Sequence, residues 1–123
     1  MKTELIEKLK KFPNMIEQAE LDVIKLLHER DCLKDELEYQ EADIMSGITK
    51  ETDSKYKPKF SNDTARKTEH TIRVFEDKIY QEKFRKYRDM LNEIEQKKVM
   101  LNLLRNEFTS VKWIVKLITM EVN

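Results

Sequence analysis

Hydrophobic residues recur every seventh position along the second half of the chain. Stepping by seven from Tyr80 meets Tyr87, Ile94, Leu101, Phe108, Val115 and Val122. The companion position three residues on holds Lys83, Met90, Lys97, Leu104, Val111 and Ile118. A pattern sustained this long is the seam of a coiled coil. Upstream, Ala65, Ile72, Phe75 and Ile79 carry a stripe as well. Its phase slips by one residue near Tyr80, which changes the local winding of a supercoil. Neither Pro nor Gly occurs in this half. The pattern therefore predicts one long helix over 62–122, about 90 Å from end to end. Ser61, Asn62 and Asp63 stand just before its first turn, and any of them can accept bonds from the free amides there.

The first half reads in the same way. Met1 to Phe12 predicts a short amphipathic helix (2–12) with Leu5, Ile6, Leu9 and Phe12 on one side. Pro13 breaks or kinks it and suits the first turn of a second helix over 14–46. That helix has Ile16, Val23, Arg30, Leu37 and Ile44 at one seam position and Ala19, Leu26, Leu33 and Gln40 at the other. Arg30 and Gln40 are polar intrusions that either fix register or sit solvated at a ragged seam. Gly47 is placed to end the helix. The segment 47–61 reads as a loop, with no helical stripe from Ile48 to Phe60, long enough to be either functional or disordered. Deleting Glu51 to Lys57 from such a connection is expected to change little, since closure entropy varies slowly with length.

The expected fold is a single all-α domain over 1–123: an antiparallel helical hairpin or coiled coil with one very long C-terminal helix, oligomeric. The C-terminal third is apolar on more than one face. The first 46 residues are too few to cover Val111 to Val122, so an interface between chains is expected at Phe108, Val111, Trp113, Ile114, Leu117 and Ile118. The Met1–Phe12 helix can fold against the same end. A membrane span is disfavoured because Arg105, Glu107, Lys112, Lys116 and Glu121 interrupt the run, leaving an interfacial membrane helix as the alternative.

Composition narrows the chemistry. Charged residues make up 39% of the 123, there is one Gly and one Cys, and the formal net charge is zero. One cysteine, Cys32, allows no intrachain disulfide. The N-terminus lacks an apolar signal core, so a cytoplasmic location is expected, in a bacterium or a phage-infected host cell. No Gly-rich phosphate loop, nucleophile elbow or Cys/His cluster occurs, and His28 and His70 lie on different arms. No enzyme activity, cofactor or metal is expected.

One constellation departs from the neutral average. Between Lys50 and Arg73 there are seven basic and four acidic side chains. Lys55, Lys57, Lys59, Arg66 and Lys67 are interleaved with or followed closely upon Tyr56 and Phe60. Cations that track phosphates beside rings that stack on bases are the requirement for sequence-tolerant single-strand binding. An ordinary solvated loop, with Tyr56 and Phe60 packing back on the hairpin, is the competing reading of the same residues.

The stretch Lys59-Phe60-Ser61-Asn62, then Arg66, then Asp77 and Tyr80, resembles a pattern in small helical proteins of phages and integrative elements. Glu107-Phe108 followed by Val111-Lys112-Trp113 looks like the ending of that pattern. The plan is also similar to the recombination-mediator proteins of large tailed phages. The resemblance implies an accessory protein of DNA recombination or replication that binds single-stranded DNA, with a recombinase or single-strand-binding protein as partner. It also implies that Lys59, Ser61, Asn62 and Arg66 form a polar signature. A structural or adaptor coiled coil without nucleic-acid affinity is the alternative.

Overall fold

A computed structural model describes residues 2–122, Val122 by its backbone alone. Three helices make up most of it: α1 (Lys2–Lys50), α2 (Asp63–Glu76) and α3 (Lys78–Val122). The fold is all-α. Among the described residues the only extended pairing is an isolated antiparallel bridge between Thr52 and Pro58. No helix among the described residues is long and apolar enough to cross a membrane.

Burial follows both predicted seams, with Ile48 buried outside them. Every described position of the Tyr80 register and of the Ile16 register is buried or half-buried. The chain divides into two compact units. One comprises Met1–His28 with Asn92–Asn123, the other Glu29–Leu91. In the first, Phe12, Val23, Ile94, Leu101 and Val111 are buried. Phe12 and Phe108 rings lie 5.4 Å apart, and Lys8–Glu107 (2.7 Å) and Glu20–Arg105 (2.8 Å) ion pairs flank them. In the second, Leu33, Leu37, Ile48 and Tyr80 are buried.

Three helix boundaries differ from the sequence expectation, each for a visible reason. Pro13 neither breaks α1 nor starts it; it lies within the helix on an exposed face. Seven-residue steps run back through it, from Ile16 to Leu9 and from Ala19 to Phe12 and Leu5. Phe12 is only 1% exposed. Burying such a ring is worth about 1.5–3 kcal/mol, comparable with the ~3 kcal/mol that an interior proline costs. Gly47 does not end the helix either. Ile48, one residue on, is fully buried and anchors another turn, which outweighs the roughly 0.5–1 kcal/mol lost at a helical glycine.

The predicted single helix over 62–122 is two helices. Asp77 interrupts it in an extended conformation (φ −75°, ψ 109°). Its N–H donates to the Arg73 carbonyl at 2.9 Å, closing α2. Its carboxylate accepts the Tyr80 N–H at 2.9 Å as the N-cap of α3, and also the Gln40 side-chain amide at 3.2 Å. The one-residue phase slip near Tyr80 is thus a break in the hydrogen-bond ladder. Beside it, Tyr80 donates its hydroxyl to the Glu41 carboxylate, and the His70 ring N–H donates to the Glu41 carbonyl at 2.8 Å.

Candidate nucleic-acid interface

The loop between α1 and α2 is built around Asp53. Its carboxylate accepts the N–H groups of Lys55 (2.8 Å) and Lys57 (3.0 Å), and its own N–H donates to the Lys57 carbonyl (2.7 Å). The Lys59 N–H donates to the Glu51 carbonyl at 3.0 Å, which closes a small hairpin. Pro58 occupies the position of that hairpin whose missing N–H is not needed, opposite Thr52. Tyr56 stands at the turn with φ 61°, the left-handed region that a bulky residue rarely adopts.

The far side of the loop is clamped to α2. Asn62 is the N-cap, accepting the Ala65 N–H at 2.7 Å, which singles it out from Ser61 and Asp63. Arg66 donates to the Phe60 carbonyl (3.1 Å) and to the Asp63 carboxylate (2.6 Å). Arg73 reaches Glu51 (2.7 Å) and Glu69 (2.8 Å), and its guanidinium lies 5.7 Å from the centre of the half-buried Phe60 ring. The hydrogen bond from Arg73 holds the Glu51 carboxyl below the usual carboxylate range, and its charge and that of Lys59 add to this. Arg66 does the same for Asp63, first by its hydrogen bond and then by charge. In return, Glu51 and Glu69 raise the pKa of Arg73.

The seven residues that the sequence singles out therefore divide. Lys55, Tyr56, Lys57, Lys59 and Lys67 are exposed, Tyr56 at 89%. Phe60 and Arg66 are engaged within the protein. All four acids of the tip, Glu51, Asp53, Asp63 and Glu69, accept hydrogen bonds from its own groups. Four of the residues behind the phage resemblance have structural tasks here: Asn62 and Arg66 of the polar signature cap α2 and tie the loop, and Asp77 and Tyr80 beyond it cap α3 and hold Glu41. Glu51, Asp53 and Arg73 are the clamp that sequence reasoning passed over. The Asp-Ser-Lys-Tyr-Lys spacing was its signal, since a short acid accepts amide bonds from residues just after it in turns.

This clamp corrects the expectation of a dispensable connection. Deleting Glu51 to Lys57 removes the Arg73 anchor and exposes Phe60. The melting temperature should fall by more than about 4 °C, the equivalent of roughly 1 kcal/mol, as read by circular dichroism.

The predicted interface residues divide too. Phe108, Val111 and Ile118 lie on the inner seam, buried or half-buried within their unit. The reason is that α1 begins at Lys2 and so brings Lys8 and Phe12 against this end. Trp113, Ile114 and Leu117 remain exposed. No group of His, Cys, Asp and Glu suited to a metal occurs among the described residues. An open groove of about 440 Å³ has Glu41, His70, Val74, Phe75, Tyr80 and Phe84 in its lining.

No family model, curated protein or solved structure matches this chain.

Proposed function

We propose that this chain is an oligomeric helical-hairpin accessory protein of phage-type DNA recombination or replication, and that it binds single-stranded DNA through the loop between α1 and α2. The observation that supports this reading is Tyr56. An aromatic ring at 89% exposure, on a backbone with positive φ, stands among Lys55, Lys57 and Lys59. A strained, exposed aromatic gives nothing to folding, and strain of this kind concentrates at functional positions. With the tip's acids occupied internally, the lysines face solvent for phosphates while the ring is open to a base. A recombinase or single-strand-binding protein is the partner this reading implies. The exposed apolar residues Ile72, Phe75 and Ile79 favour the second reading, an adaptor that binds protein alone.

Fluorescence anisotropy with a labelled oligonucleotide at several salt concentrations separates the two. Binding to a single strand should weaken with salt by a log–log slope of about −0.7 per phosphate neutralised. Changing Lys57 and Lys59 to Gln should flatten that slope by about 1.4. Tyr56→Gly should relieve the backbone strain and raise stability slightly. It should also weaken binding by about fivefold, the low end of the stacking range of roughly 1–3 kcal/mol per base, and leave the slope intact. A purely structural tyrosine would give lower stability instead. No binding at low salt would favour the adaptor.

A further inference from the structure

The face of α3 turned away from α1 carries a second seven-residue pattern. Val99, Leu103, Asn106, Ser110, Trp113 and Leu117 follow one another in alternating steps of four and three, and all six are exposed. Such spacing forms one continuous stripe along a helix, about 27 Å long over this stretch. Its ends are apolar and its middle is polar. An isolated helix face in water has no use for Leu103 and Trp113 at 62% and 57% exposure.

We infer that this stripe is covered by the same stripe of a second copy of the chain, running in the opposite direction. Reversed pairing matches the layers by kind. Val99 meets Leu117, Leu103 meets Trp113, and Asn106 meets Ser110, each contact occurring twice about a two-fold axis. The Asn106 amide and the Ser110 hydroxyl can satisfy each other in the middle, so no polar group is left buried alone.

Two further exposed residues favour this direction. Met100 and Ile114 lie along the same edge of the stripe, and they become neighbours only when the copies are antiparallel. Copies running the same way would instead set Met100 beside Glu95 and crowd two Trp113 rings into one layer. The antiparallel pair does bring two Glu107 carboxylates near the axis, and each is ion-paired with its own Lys8 at 2.7 Å.

The residues differ from those of the inner seam, so the interface can be tested without disturbing the fold. In sedimentation velocity at tens of micromolar the intact chain should run as a dimer, and Leu103→Glu with Leu117→Glu should run as a monomer with unchanged helical circular dichroism. In a Cys32→Ser background, oxidising a mixture of Val99→Cys and Leu117→Cys chains should give a mixed disulfide dimer, while either variant alone should not cross-link. Cross-linking of Val99→Cys with itself would overturn the antiparallel arrangement. A monomeric parent, or a dimer indifferent to both glutamates, would overturn the interface. None of these readouts depends on DNA binding.

Discussion

Between pH 10 and pH 12 the protein should lose about 2–3 kcal/mol of stability that a Tyr80→Phe variant does not lose. The Tyr80 hydroxyl is pushed from 10.0 up to about 12, first by burial, then by its hydrogen bond to the Glu41 carboxylate and by the negative charge there. Tyr80 is 6% exposed, and with the half-buried Glu41 it lines the open groove, so solvent screening makes the stability figure an upper value. In the unfolded chain the phenol ionises near 10; in the folded protein it stays protonated for about two units more. The native state therefore holds a proton that the unfolded state has already released. The stabilisation is complete below pH 10 and disappears as pH climbs through 12, at about 1.36 kcal/mol per unit of separation. Urea unfolding at a series of alkaline pH values, parent against Tyr80→Phe, checks it. Parallel stability curves would mean that the Tyr80 hydroxyl is neither buried nor bonded to Glu41. Ionisation followed at 295 nm should show one tyrosine titrating late.

Pro13→Ala should stabilise the protein by about 2 kcal/mol. Pro13 lies inside α1, with no N–H to give the Leu9 carbonyl and a ring that crowds it. Alanine restores the bond and is worth about 3 kcal/mol over proline in a helix interior. The unfolded chain gains freedom when the ring is removed, which takes back up to about 1 kcal/mol. The side chain points to solvent, so no packing is lost. For a chain of this length the gain corresponds to a melting temperature higher by about 7 °C. An unchanged melting temperature, with unprotected amides before Phe12, would show that the helix begins after Pro13 and that Phe12 does not hold the end in place.

What could be read from the residues follows from which signals are cumulative. The seams of α1 and α3 were legible because every seventh residue repeats the same statement, and no single exception such as Lys97 or Arg30 cancels it. Pro13 and Gly47 misled because they are local signals, and the burial of Phe12 and Ile48 outweighs them. Asp77 was visible only as a slipped phase, since an aspartate between two helical stretches looks like any exposed acid until Gln40 and the Tyr80 amide are seen to meet it. At the tip, composition pointed to a basic aromatic loop. It could not tell Phe60 and Arg66, whose side chains are tied into the protein, from Tyr56, Lys55, Lys57 and Lys67, whose side chains are exposed, or from Lys59, whose ammonium lies 5.5 Å from the centre of the Phe60 ring. That distinction depends on two contacts of α2, Arg73 with Glu51 beside Phe60 and Arg66 with Asp63 and the Phe60 carbonyl, which no local pattern in the sequence announces.

The interruption at Asp77 also bears on how such a chain can change length. In an uninterrupted helix, inserting or removing one residue turns everything beyond it by about 100°, which would swing the whole inner seam of α3 away from α1. Here α2 and α3 each begin their own ladder, α2 at the Asn62 cap and α3 at Asp77. A one-residue change within α2 is absorbed at Asp77 and leaves all 45 residues of α3 in phase. The loop-bearing end can therefore change in length by mutation while α3 keeps its own hydrogen-bond ladder, so that the two helices are free to diverge separately in sequence.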